Sequence, residues 1–188
     1  MPLQILGLNH NTAPVELREQ VAYAGDDVTR ALHQLLALDG VNEALLLSTC
    51  NRTEFYLIGE DAGRDHLRDW LAQDRNIGQD FSESLFTKND EEAIRHIFRV
   101  ACGLDSMVLG EPQILGQLKD AFRQAEQANS LGSNLSRLFQ HTFAVAKKIR
   151  TDTEIGASPV SVASTAVHLA QQFFAGFKKH TALLVGAG

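Results

Sequence analysis

The chain has 188 residues, 44% of them hydrophobic and 21% charged, a balance that suits a globular protein with one good core or a domain plus a helical appendage. A net charge of −6 argues against indiscriminate nucleic-acid binding, which runs on phosphate neutralisation, so any nucleic-acid partner would have to be met by a local basic patch. Two cysteines, Cys50 and Cys102, with no C-x-x-C pair and seven scattered histidines, provide neither a disulfide framework nor a structural zinc site. The start, Met1 to Gly7, lacks the basic segment of a signal peptide, and no run approaches the roughly 18 apolar residues of a membrane span. A cytoplasmic protein with no membrane partner and no metal is the expectation.

Leu3 to Leu8 reads as a first strand, followed by the polar turn Asn9 to Pro14 and a short helix from Val15 to Val21 with Glu16 in its first turn. A second helix follows Asp26, with Val28, Ala31, Leu32, Leu35 and Leu36 on one stripe. Leu45-Leu46-Leu47-Ser48-Thr49 and Phe55-Tyr56-Leu57-Ile58 then read as two strands around a sharp polar turn. A helix over 63–73 carries Leu67, Trp70 and Leu71, and Ser84-Leu85-Phe86-Thr87 makes a fourth strand. The fold class is therefore α+β, with a ferredoxin-like β-α-β-β-α-β core. Because Leu45, Leu46 and Leu47 are apolar in succession, both faces of that strand should be covered, and the segment from Asp90 to Arg150 is the candidate for the second cover.

Asn89 and Asp90 are candidate N-caps for a helix whose apolar stripe is Ile94, Ile97, Phe98 and Ala101, with Cys102 on the same stripe and hence in the core. His96 falls off that stripe. Further helices are expected over Gln113 to Gln127, Asn134 to Arg150 and Pro159 to Phe174. Lys119, Arg123, Arg137, Lys147, Lys148 and Arg150 could meet phosphates or could form a solvated face, and no aromatic residue interleaves among them for base stacking. The chain ends in an apolar run, Ala182 to Val185, leading into Gly186-Ala187-Gly188. That is how a dinucleotide-binding fingerprint opens, and after a long linking helix it suggests the threshold of a cofactor domain.

Cys50 is the most informative residue. It stands at the lip of the two-strand unit, with the guanidinium of Arg52 two residues on, rather than inside an apolar run. A free thiol with a pKa of about 8.5 is only slightly ionised at neutral pH, and a fixed cation beside it would raise the thiolate fraction. The position and the neighbours point to a nucleophile.

Four stretches carry a family resemblance: Gly7 to Pro14 (GLNHNTAP), Leu47 to Glu54 (LSTCNRTE), Gly103 to Gln117 (GLDSMVLGEPQILGQ) and Ile155 to Val162 (IGASPVSV). On these residues the chain resembles the N-terminal part of the glutamyl-tRNA reductases. The resemblance implies an NADPH-dependent oxidoreductase of tetrapyrrole (porphyrin and haem) biosynthesis that converts glutamyl-tRNA to glutamate-1-semialdehyde through a thioester on Cys50. It implies substrate contacts from Thr49, Asn51 and Arg52, and from Ser106, Glu111, Pro112, Gln113 and Gln117. It also gives His96 a part in catalysis, as a donor to the leaving tRNA oxygen. Gly186, Ala187 and Gly188 would open the NADPH site.

The domains expected on this basis are a glutamyl-tRNA-binding catalytic domain over 1–150, a linker helix over 151–180, and the first strand of a truncated cofactor domain over 181–188. The family implies a homodimer made by a region this chain lacks, so the fragment is expected to be a monomer without bound cofactor, acting at most as a slow esterase. Glutamate-1-semialdehyde aminomutase is the implied partner that takes the product. Two other classes stay open on the residues alone: an RNA-binding ferredoxin-like module, which needs exposed aromatics such as Phe55 and Tyr56 on its sheet, and an acyl hydrolase with a Cys50–His96 dyad.

Overall fold

A computed structural model describes residues 2–156, 162–174, 177, 181 and 183. Four strands form one antiparallel sheet: β1 (Leu3–Asn9), β2 (Val41–Thr49), β3 (Arg52–Gly59) and β4 (Phe86–Asn89), in the spatial order β2-β3-β1-β4. The helices are α1 (Val15–Gln20), α2 (Asp26–Leu36), α3 (Asp61–Asp74), α4 (Asp90–Ala101), α5 (Gln113–Gln127), α6 (Ser133–Asp152) and α7 (Val162–Phe173). The crossover through α1 and α2 joins β1 to β2, and that through α3 joins β3 to β4, so the ferredoxin-like arrangement expected from the sequence is present.

Strand periodicity sorts the side chains onto two covered faces. Phe55 of β3 meets Trp70 of α3 and Tyr23 edge-on, with ring centroids 6.1 and 5.9 Å apart, whereas Tyr56, one residue on, meets Phe139 of α6 at 5.4 Å. Every residue of β1 and β3 is buried, and Leu45, Leu46 and Leu47 of β2 are buried in succession, so the segment after Asp90 does supply the second cover. Helix α6 is pinned to the sheet by Glu43 of β2. Its buried carboxylate accepts from the backbone N–H groups of Asn134 (3.2 Å) and Leu135 (2.7 Å), satisfying donors that a helix start otherwise leaves unpaired.

Two expectations are corrected. The fourth strand begins at Phe86, not Ser84, because 79–84 form a 3-10 turn closed by the Leu85 N–H on the Ser82 carbonyl, and pairing with β1 starts at Phe86 opposite Gly7. The buried stripe of α4 is Ala93, His96, Ile97, Val100 and Ala101, with Ile94 left exposed. His96 lies on the buried stripe because its ring has ionic partners there, which an apolar count cannot register. Asn89 occupies the cap position of α4 without a side-chain bond, while Asp90 Oδ1 accepts from the Leu3 N–H at 3.1 Å. Cys102 is buried as expected.

Candidate active site

Cys50 sits in the two-residue turn between β2 and β3, exposed at its tip. Three residues fix that turn. The Thr49 hydroxyl accepts from the backbone N–H groups of Asn51 and Arg52, both at 3.2 Å, as short hydroxyl side chains do in turns. The His10 N–H donates to the Asn51 carbonyl at 2.9 Å. Arg18 of α1 donates from Nη1 to the Cys50 carbonyl at 2.8 Å and to Asn51 Oδ1 at 3.2 Å. The thiol is thus presented on a backbone held from two sides.

Beside it lies a cavity of about 100 Å³ lined by Thr49, Cys50, Asn51, Arg52, Ser106, Glu111, Gln113, Ile114 and Gln117. Two segments far apart in sequence build it: the β2–β3 turn, and the loop after α4 with the first turn of α5. Gly103 ends α4 at φ +76, and a Cβ there would sit 3.1 Å from the Glu111 carbonyl, so a side chain would push the loop away from the cavity. Of the substrate residues implied by the sequence, all but Pro112 line this cavity; Pro112 is exposed at the cap of α5. On its other side Cys50 borders a wider groove of about 580 Å³ with Val15, Arg18, Glu19 and Met107.

Arg52 is 2% exposed and not a free cation. Nη1 donates to Glu54 Oε1 at 2.6 Å and Nη2 to the Asp105 carbonyl at 2.5 Å. Glu54, fully buried on the same face of β3, also takes the Tyr56 hydroxyl at 2.5 Å and faces His96 Nε2 at 2.9 Å through Oε2. Across the ring, His96 Nδ1 is 3.3 Å from Asp105 Oδ2, and Arg99 Nη2 reaches Asp105 Oδ1 at 2.8 Å. Burial would lower the His96 pKa, but its hydrogen bonds to Asp105 and Glu54 outweigh burial and raise it to about 9. Burial likewise pushes Glu54 up, and His96 and Arg52 overcome it, holding the carboxylate below its ordinary value. The hydrogen bond from His96 also holds Asp105 low.

The sequence singled out Arg52 and His96 but missed Glu54 and Asp105. A carboxylate in a strand is the available signal: Glu54, between Thr53 and Phe55 in a buried strand, demands an internal cation. Arg18 and His10 were also missed as site-shaping residues. His10 Nδ1 is buried without a partner, and burial, with Arg52 and Arg18, lowers its pKa.

The geometry gives neither competing class the feature it was expected to need. His96 spends its two ring nitrogens on Glu54 and Asp105 and lines a different cavity, of about 570 Å³, with Lys88, Arg95 and Arg99, so no Cys50–His96 dyad is formed. Phe55 and Tyr56 are buried under helices on opposite faces, so the sheet offers no stacking platform to RNA. Among the basic residues, Lys148 pairs with Asp152, Arg123 with Asp120, and Arg150 donates to the Gly110 carbonyl. Gly186, Ala187 and Gly188, and with them the implied NADPH site, lie outside the described residues, as does Pro159. No described helix is long and apolar enough to cross a membrane.

Comparison with known proteins gives the family. Residues 6–153 match the family model described as "Glutamyl-tRNAGlu reductase, N-terminal domain". The whole chain is 58% identical to the glutamyl-tRNA reductases of Xanthomonas axonopodis pv. citri (strain 306) and Xanthomonas oryzae pv. oryzae (strain PXO99A), spanning 43% and 42% of their lengths. A solved structure of glutamyl-tRNA reductase from Methanopyrus kandleri superposes with a TM-score of 0.70 at 32% identity, over 90% of this chain and 39% of that one. The chain belongs to the glutamyl-tRNA reductase N-terminal domain family and corresponds to less than half the length of those relatives.

Proposed function

We propose that the chain is the catalytic, glutamyl-tRNA-binding part of an NADPH-dependent glutamyl-tRNA reductase of tetrapyrrole biosynthesis, with Cys50 as the nucleophile. The observation that carries this is the exposed thiol at the rim of a small polar cavity whose lining includes one buried guanidinium and one carboxylate, Arg52 and Glu111. A glutamyl group needs that complement: a cation for its side-chain carboxylate and an acceptor for its ammonium. Ser106, Gln113 and Gln117 supply further polar contacts.

The Cys50 thiolate attacks the ester carbonyl carbon, the carbon–oxygen bond to the terminal ribose breaks, and the ribose oxygen takes a proton from water. A glutamyl thioester remains on Sγ. The wider groove beside Arg18 and Met107 leaves room for the departing nucleoside. In the whole protein NADPH would supply the hydride that reduces the thioester to glutamate-1-semialdehyde, which an aminomutase would then take up. The domain limits 1–150, 151–180 and 181–188 and the dimeric state of the whole protein belong to the same proposal.

The test is a single-turnover incubation with glutamyl-tRNA followed by mass spectrometry. A glutamyl adduct on Cys50, and slow release of glutamate when no hydride transfer follows, is the expected result. Semialdehyde formed by the 188-residue chain alone with NADPH would displace the assignment of the cofactor domain, and no adduct in wild type would displace the mechanism.

A further inference from the structure

Arg52 reaches the Cys50 cavity from a buried position, and what holds it there is a chain of ionic contacts rather than packing. Glu54 takes one Nη, the Asp105 carbonyl takes the other, and His96 bridges the two carboxylates from behind through Nε2 at 2.9 Å and Nδ1 at 3.3 Å. A guanidinium has five N–H groups, so two protein acceptors leave donors for a substrate carboxylate in the cavity that Arg52 lines. Asp105 has a second consequence. It stands in the loop that carries Ser106 and Glu111, so the same residue that receives Arg52 through its carbonyl ties that loop to α4 through Arg99 and His96, and through His96 to Glu54 of the sheet.

Charge counting gives the cluster a direction. Arg52, His96 and Arg99 are three cations against two carboxylates, Glu54 and Asp105, an excess of one positive charge. The other charged groups lining the His96 cavity, Lys88 and Arg95 against Glu91 and Glu92, cancel, and Tyr56 enters only as a hydrogen-bond donor to Glu54. Glu111, which shares the Arg52 cavity, is offset by the substrate ammonium it accepts, so with His96 protonated the cluster is left short of one negative charge. A single substrate carboxylate at Arg52 completes it, whereas a neutral amide of the same size does not.

We propose that Glu54, His96 and Asp105 are positioning residues that fix the Arg52 guanidinium for the substrate's side-chain carboxylate, so that this buried cluster sets the discrimination between glutamyl and glutaminyl esters. His96 then acts through Glu54 and Asp105 rather than on the leaving group. The inference rests on the assignment of Cys50 as acceptor of a glutamyl ester.

The experiment compares single-turnover acylation of Cys50 by glutamyl-tRNA and by the same tRNA carrying glutamine, in wild type, Glu54→Gln, His96→Gln, Asp105→Asn and Arg52→Lys. The expected result is a glutamyl preference in wild type that falls by about tenfold or more in each variant, because the neutral ester loses little when the guanidinium shifts. Circular dichroism and thermal melting confine the comparison to folded variants. Asp105→Asn keeps the backbone carbonyl to Arg52, so it serves where Glu54→Gln does not fold. A preference that survives in folded Glu54→Gln or Asp105→Asn but is lost in Arg52→Lys would overturn the positioning role and leave the Cys50 reading standing. No acylation of wild type, or an undiminished preference in Arg52→Lys, would overturn the reading as well.

Discussion

His96 Nε2 lies 2.9 Å from Glu54 Oε2, across the packing surface between α4 and β3 and 42 residues away in sequence. That contact joins a helix to the strand that carries Arg52, so the chemistry of the Cys50 cavity and the stability of the sheet depend on the same charges.

Stability should therefore follow the protonation of His96. Its ordinary value of 6.5 is raised to about 9 in the folded chain. A raised pKa means that the folded state keeps a proton the unfolded chain has released; the contribution is fully present below about pH 6.5 and disappears as pH climbs through about 9. The size is on the order of 3 kcal/mol. Melting temperatures at pH 6, 8 and 10 should drop more steeply for wild type than for His96→Gln, and parallel curves would contradict the assignment. At the acid end the sign reverses, since Glu54 and Asp105 are held low and lose their contribution as pH falls.

The two cysteines should respond oppositely to serine. Cys50→Ser removes the proposed nucleophile from an exposed turn and should abolish acyl transfer with an unchanged melting temperature. Cys102→Ser puts a hydroxyl into the apolar core and should cost about 1–3 kcal/mol with acyl transfer retained. Equal adduct formation by wild type and Cys50→Ser would end the thiol mechanism.

Arg52→Lys should impair acyl transfer nearly as much as Arg52→Ala. An ammonium cannot span Glu54 and the Asp105 carbonyl while still facing a substrate carboxylate. The alanine variant should also lose about 3–5 kcal/mol, because it leaves Glu54 buried with one cation fewer. Full activity in the lysine variant, measured over a range of substrate concentrations, would mean that Arg52 supplies only a general positive potential.

Gly7→Ala offers a test that touches neither cavity. Gly7 pairs with Glu54 across β1 and β3, and a Cβ there would stand 2.9 Å from both Glu54 Cγ and the Thr53 carbonyl. The carbonyl is sheet backbone, so both the Glu54 side chain and the β3 backbone beside it must shift. A loss of about 1–3 kcal/mol together with slower acylation is expected, and a folded variant that acylates at the wild-type rate would show that Glu54 can shift freely.

Much of the fold is legible in the sequence. Val28, Ala31, Leu32 and Leu35 give α2 its buried face, Leu45 to Leu47 announce a strand covered on both sides, and Cys50 between two apolar runs announces a thiol on a turn. These follow from local rules, because side-chain period and turn chemistry are set by residues a few positions apart. The register of β4 and the buried face of α4 did not follow from those rules. Ser84 had strand-like neighbours but closes a turn, and Ile94 fitted an apolar stripe that the helix turns outward so that His96 can face Glu54.

The sequence by itself determined which segments become strands and helices, where the thiol is presented, and which motifs accompany it. Only the tertiary structure decided that Arg52 is held by Glu54 and the Asp105 carbonyl, that His96 is a buried cation between two carboxylates, and that the 103–117 segment closes over the β2–β3 turn. The reason is the range of the interactions. Hydrophobic periodicity is written every two to four residues, whereas a buried charge is satisfied by whichever partner the fold brings within about 3 Å, and no pattern along the chain records that distance.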